Sequence, residues 1–303
     1  MSKIVISGLI NIETTLKTDQ FPLIYAPVRY PFFGIRTTVS GVGYNIAKAL
    51  TRLNESISFL SLIGKDFAGD LVCRSLKTDN IAIEYILADM PETAQSVIIY
   101  DREGQRQIHT DLKDIQERIY PRERFAVALA ESDLAILCNI NFSRPFLQYA
   151  RQANKTIATD VHAISSLEDA YNHDFMAAAH ILFMSDELLP CVPELWAKQI
   201  QDEFGTPIIV IGLGAAGALL AVKDDGFMER VPAVVTRPVV NTIGAGDALF
   251  SAFTSIFHQT GDPYLAINKA VIFASYKIGS TGAADGFLTA AGLDELYEKV
   301  RVV

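Results

Sequence analysis

The chain has 303 residues, half of them hydrophobic, enough to bury the core of one large α/β domain or two modest ones. A formal charge of −9 with no local run of Lys and Arg repels a phosphate backbone, which argues against nucleic acid as a partner. No uncharged apolar run reaches the roughly 18 residues of a membrane span, and MSKIVISGLINIE meets an acid before any cleavage-like site, so a soluble, cytoplasmic protein with no membrane partner is expected.

In chain order, KIVISGLI reads as a buried strand: a short apolar run rich in β-branched residues that stops near Gly8. Residues 12 to 38 lack helical periodicity and carry three prolines and several aromatics. YNIAKALTRLN (44 to 54) spaces its apolar positions three or four apart, as a helix does. ISFLSLIG (57 to 64) then reads as a strand and GDLVCRSLK (69 to 77) as a helix. Residues 92 to 110 read as two strands around the turn Asp101, Arg102, Glu103, Gly104. Together with 12 to 38 they predict a small β-structure standing off the main sheet.

The second half alternates more regularly. Strands are predicted at 134 to 140, 156 to 161, 179 to 185 and 207 to 214, and helices at 122 to 131, 144 to 154, 193 to 205, 246 to 261 and 263 to 280. Several of these helices close on Gly or Asn, and the last two are so apolar that they should be largely buried. Such alternation implies βαβ units and a mainly parallel sheet covered on both faces. No repeat, low-complexity tract or linker divides residues 1 to 303, so a single domain is expected.

The strongest chemical signal is VVNTIGAGDALFSAF, residues 239 to 253: a β-branched strand running into Gly244, Ala245 and Gly246, then Asp247 and an apolar helix. Small residues admit a ligand close to the backbone, and a helix start offers free N–H groups at a positive dipole end. Asp247 then has two readings. It caps or complements the helix N-terminus, or it takes a proton from an attacking hydroxyl while those amides hold a transferring phosphoryl group. GLGAAG (212 to 217) has the GxGxxG form, but it falls late in the chain with no early βαβ unit built on it, which excludes the dinucleotide reading. Cys73, Cys138 and Cys191 offer no CxxC spacing, and the five histidines form no HxxxH or HExxH pair, so neither a disulfide framework nor a histidine metal site is expected.

GAGDALFSAF resembles the second signature of the ribokinase-like (PfkB) carbohydrate kinase family, and SGVGYNIAKALTRLN (40 to 54) resembles its first, with Gly41, Gly43 and Asn45 in the Gly-x-Gly-x-Asn places. LIGKDFAGD (62 to 70), PETAQSVIIYDREGQR (91 to 106), IVIGLGAAGALL (209 to 220) and ASYKIGSTGAADG (274 to 286) extend the resemblance over nearly the whole chain. It implies a three-layer α/β/α sandwich with a mainly parallel sheet and a β-lid made by segments near 12 to 38 and 92 to 110.

The resemblance also assigns roles. Asp247 would be the catalytic base, with the amides of Gly244, Ala245 and Gly246 as the anion hole. Asn11, Glu13, Gly41, Gly43 and Asn45 would hold the acceptor, with His162 and the lid's Arg106 as further candidates. Ser185, Glu187, Gly212, Gly214, Gly217, Thr242 and Gly282 would line the nucleotide side. ATP and Mg2+ are the implied cofactors. No direct protein ligand to the metal is expected, although Glu187 could act through water.

Several residues depart from the family pattern. Glu13 stands where an Asp is usual, and reads either as an acceptor-binding carboxylate or as an exposed lid residue. Ser185 and Leu188 replace the Asn and Glu of the family's NxxE stretch. Asn241 replaces an Asp, which puts activation by a monovalent cation in doubt. Gly217 and Arg106 keep their ordinary readings beside the functional ones, as a packing glycine and a solvated strand residue. The implied substrate is a sugar or sugar derivative. A nucleoside is the alternative, because IYAPVRYPFFG (24 to 34) could stack on a base; the same aromatics could instead be buried in the lid or pair two lids in a homodimer. A non-catalytic sensor of sugars or nucleotides on the same fold is the rival from another class.

Overall fold

The computed structural model describes residues 3 to 103 and 105 to 301, so Gly104 of the expected hairpin turn lies outside the described residues. The first strand, β1 (Ile4–Ser7), is buried throughout. The chain then leaves the core for β2 (Asn11–Lys17) and β3 (Ile35–Ser40), returns as α1 (Val42–Arg52), and continues through β4 (Ile57–Gly64), α2 (Phe67–Thr78) and β5 (Ile86–Met90). A second excursion forms β6 (Gln95–Tyr100) and β7 (Arg106–Asp111). After it come α3 (Arg122–Ala130), β8 (Leu134–Leu137), α4 (Arg144–Gln152), β9 (Thr156–Asp160), α5 (His173–Ala178), β10 (Ile181–Ser185), α6 (Pro193–Phe204) and β11 (Ile208–Gly212). The hairpin β12 (Ala218–Val222) and β13 (Phe227–Val231) precedes the closing helices α7 (Ala245–Thr260), α8 (Pro263–Lys277) and α9 (Ala290–Arg301).

Among the described residues the main sheet runs β13-β12-β11-β10-β9-β8-β1-β4-β5, parallel from β11 to β5 and antiparallel only at the β12 and β13 edge. Strand alternation sorts the side chains into two cores. Ile4 and Ile6 of β1, with Leu134 and Ile136 of β8, face Leu50 of α1, Phe253 of α7 and Phe273 of α8. Val5, Ala135 and Leu137 face Phe125 of α3, Phe146 of α4 and Trp196 of α6 on the other side. The result is the expected three-layer α/β/α sandwich. The order of connection reverses between β1 and β8, and in open α/β sheets the carboxyl ends of strands at such a reversal form a ligand crevice.

The two excursions make a separate four-stranded sheet, β3-β2-β6-β7, matching the lid expected from 12 to 38 and 92 to 110. Asp66, the N-cap of α2, fixes its base. Its Oδ1 accepts from Gly69 N at 2.8 Å and from Thr93 Oγ1 at 2.7 Å, and its Oδ2 accepts from Thr93 N at 3.0 Å. These bonds hold its carboxyl below the usual range although desolvation, the largest influence, opposes them.

Most boundaries shift by a residue or two from the sequence reading, and three differences are larger. The strand expected over 134 to 140 ends at Leu137, because Ile140 N turns back to Cys138 O at 2.7 Å. The run before Gly244 forms no strand: Val240 N and Asn241 N both donate to Ile278 O, the end of a helix, and no strand lies beside them. Helix α8 stops at Lys277 rather than running to 280. β5, β12, β13, α5 and α9 are not among the predicted elements, although α9 spaces Leu293, Leu296, Tyr297 and Val300 as a helix face and β12 is apolar throughout.

Candidate active site

The turn before α7 is built around a glycine. Gly244 has φ 75°, and a β-carbon there would fall 2.5 Å from Ala283 O, so only glycine admits both the left-handed backbone and the neighbouring 281–284 segment. Helix α7 then starts at Ala245 and carries Asp247 in its first turn. The cap position of α7 is Gly244, which has no side chain; Asp247, an acid in the first turn, complements the helix dipole without occupying the cap. Asp247 Oδ2 accepts from Asn45 Nδ2 of α1 at 2.6 Å. Its carboxyl is raised above the usual range, chiefly by desolvation, with the Asn45 bond, His162 and Lys277 pulling it down and Asp160 pushing it up.

Asn45 reaches Asp247 because α1 begins hard against the end of β1. Gly43 and Gly8 touch there, and a β-carbon on Gly43 would lie 2.6 Å from the Gly8 carbonyl carbon. One residue before the Gly41 cap, Ser40 Oγ lies 3.0 Å from Glu13 Oε2 and 3.3 Å from Asn45 Oδ1. A single hydroxyl proton serves both, so a polar chain runs from Glu13 through Ser40 and Asn45 to Asp247. Glu13 is 5% exposed, which removes its exposed-lid reading, and burial raises its carboxyl despite the Ser40 bond.

Asn11 and Glu13 share one face of β2. Asn11 Nδ2 donates to Ser96 Oγ at 3.1 Å, while Asn11 Oδ1 and Glu13 Oε1 are buried with no hydrogen-bond partner. Unpaired buried acceptors are costly, and two of them side by side suit a ligand that brings hydroxyl donors. His162, also with a left-handed backbone (φ 59°), follows β9 and donates its N–H to Asp160 Oδ1 at 2.8 Å; its side chain remains exposed near Asp247.

The residues expected on the nucleotide side line the neighbouring strand ends. Ser185 pairs in register with Gly212, and Ser185 N donates to His162 O. Gly214 opens a short 3-10 turn, and Gly217 packs under Val231 O, its structural reading. Gly282 is buried against the Asp285 carboxylate. From the lid, Arg106 Nη1 donates to Thr242 Oγ1 at 3.1 Å and Nη2 lies 3.6 Å from Glu187 Oε1. With Phe21, Gln105 and Gln107 these three line an open cavity of about 600 Å³. One of its walls is Thr242, two residues before Gly244. Asn241 is engaged in holding the loop: its Nδ2 donates to Thr281 O at 2.6 Å and its Oδ1 accepts from Ile243 N.

Three residues at this site escaped the sequence reading. Ser40 carried no signal beyond preceding the Gly-x-Gly. Arg36 of β3 reaches Thr281 and pairs with Asp285 at 2.7 Å, a contact between segments 249 positions apart. Lys277 had a readable signature: it lies four residues after Phe273 and seven after Ala270, on the buried stripe of α8. It is fully buried.

Comparison with known proteins agrees with this layout. The chain is 24% identical over 289 residues to an ATP-dependent ribose-1-phosphate kinase of Halopiger xanaduensis, covering 93% of this chain and 94% of the relative. It is 25% identical over 301 residues to a deoxyribokinase of Salmonella typhi, covering 94% and 95%. The fold superposes on a microbiome-derived acarbose kinase with a TM-score of 0.87 at 22% identity, over 98% of this chain and 99% of that one. The profile of the pfkB family carbohydrate kinases matches residues 1 to 290, and the chain belongs to that family.

Proposed function

We propose that this chain transfers the γ-phosphoryl group of ATP to a hydroxymethyl group of a sugar or sugar derivative, with Asp247 as general base. The observation that carries the reading is the polar chain ending on Asp247, flanked by the unpaired Asn11 Oδ1 and Glu13 Oε1. Hydroxyls donating to those two atoms would hold a polyol beside the base. The two sequence relatives, an ATP-dependent ribose-1-phosphate kinase and a deoxyribokinase, point the same way.

In the proposed step the acceptor hydroxyl oxygen forms a bond to the γ-phosphorus. The bond from that phosphorus to the bridging oxygen of ADP breaks, and the hydroxyl proton passes to Asp247 Oδ. Such a transition state is loose and needs positioning and charge stabilisation more than covalent help. The amides of Gly244, Ala245 and Gly246 at the α7 N-terminus would supply it. Magnesium would be held mainly by the nucleotide's phosphates, as this ion often is, with Glu187 acting through water.

A panel of sugars, sugar phosphates and nucleosides with ATP and Mg2+, read as ADP formed, tests the proposal. At least one sugar-type acceptor should turn over, and Asp247→Asn should fold normally yet lose about 10³-fold or more in kcat, the scale of a lost base with its charge. Turnover on nucleosides alone would move the acceptor assignment. Wild-type rates in Asp247→Asn would remove the base, and no turnover on any acceptor would favour a sensing protein.

A further inference from the structure

Helices α7 and α8 form a hairpin joined by Gly261 and Asp262, and they are nearly equal in length, 16 and 15 residues. At about 1.5 Å per residue each is roughly 23 Å long, so the end of α8 returns level with the start of α7. That geometry sets Lys277 under the anion-hole loop. Its Nζ donates to Ile243 O, the carbonyl just before Gly244. The neighbouring backbone is tied to the same helix end: Val240 N and Asn241 N donate to Ile278 O at 2.9 and 3.2 Å.

The charges that act on Lys277 are Asp247 of α7, Glu13 of β2 and Asp285 of the following loop, with Arg106 of β7 opposing them. A lysine with 0% exposure is rarely kept without compensating charge; burial lowers this ammonium to about 8, and the carboxylates assigned to base and acceptor act against that lowering through space. Within the loop itself Ala245 N donates to Thr242 O at 3.2 Å, a turn bond that fixes the backbone ahead of α7.

We propose that Lys277 is a tethered cation of the phosphoryl-transfer site, a positioning residue that pins Ile243 O and offsets the carboxylates of Asp247 and Glu13. It thereby makes an exchangeable monovalent cation unnecessary. This rests on the kinase reading above, and it touches neither acceptor nor nucleotide directly.

The test uses the full chain and whichever acceptor the wild type phosphorylates. Lys277→Met should fold with equal or higher thermal stability, since replacing a buried ion by a hydrophobe of similar volume is often neutral or stabilising. Its kcat should nevertheless fall about 10- to 100-fold, near or below the effect of one lost oxyanion donor, with acceptor KM changed less than threefold. In Lys277→Ala, ammonium or methylammonium chloride should restore at least fivefold of the lost rate over choline chloride, while the wild type responds to neither and is not activated by potassium. A folded Lys277→Met with kcat within twofold of wild type overturns the proposal. So does potassium activation of the wild type, or a slow Lys277→Ala that ammonium leaves slow. Should Lys277→Met fail to fold, the Lys277→Ala rescue alone decides. A wild type inactive on every acceptor sinks the kinase reading instead, which separates the two failures.

Discussion

The chemistry of Asp247 depends on how its carboxyl is held. Desolvation raises it, and a carboxylate base works only while ionised, so activity should fall as pH drops through this elevated value. The Asn45 bond pulls in the opposite direction. Removing it with Asn45→Ala should therefore lift the Asp247 value further and move the acid limb of kcat, measured at saturating acceptor, to higher pH. The charges acting on Asp247 include His162 just after β9, Asp160 at its end, Lys277 of α8 and Glu13 of β2, and none is altered by this change. An acid limb that stays in place or moves down in Asn45→Ala would show that the bond does not tune the base. Asn45 itself was legible from its place in SGVGYN, because a local pattern reports a helix start. Its partner 202 positions away was not, because the long-range packing that sets α1 on α7, and Gly43 on Gly8, has no local signature.

At the scale of elements, periodicity revealed the buried strands and helices because each is locally self-consistent: β1 is apolar on both faces, and α7 and α8 are apolar for most of their length. The lid was legible only as a break in that rhythm. Its pairing of β2 with β6 in parallel joins segments about 80 residues apart, which no local signal encodes. Nor could the sequence disclose that arginines on both outer strands of the lid reach the core. Arg36 of β3 meets Thr281 and Asp285, and Arg106 of β7 meets Thr242 and Glu187. These pairs are partly exposed, so each should contribute less than about 1 kcal/mol to global stability. The same small energy acts on a lid equilibrium that carries Asn11 and Glu13. Arg36→Ala should leave the melting temperature nearly unchanged and raise acceptor KM several-fold, the expected effect of up to ~1 kcal/mol on the closed population. An unchanged KM would mean that this contact does not hold the lid shut.

For the whole molecule, the unsettled surface is the loop between β2 and β3. The possibility that the lid buries its own aromatics is not realised: Tyr25 is 88% exposed, Phe32 84% and Phe33 fully exposed, with Leu23, Ile24, Val28 and Tyr30 also open. Tyr30 and Phe32 stack on each other at 6.3 Å but cover little of the rest. Contiguous apolar surface of this kind is uncommon on a monomer and usually marks an interface. The outer strand β7, at the edge of the same sheet opposite β3, is exposed at every position, an open edge of the sort proteins ordinarily cover. A second lid supplies both an apolar face and an edge of matching chemistry, so the chain is expected to be a dimer through its lids at micromolar concentration. Light scattering after size exclusion should give twice the 33.2 kDa chain mass. Tyr25→Ser combined with Phe33→Ser should return the monomer while nucleotide binding persists, since neither side chain contacts the core. A monomeric wild type would reject the dimer and leave the aromatics to a ligand, in which case the double variant should lose acceptor affinity instead.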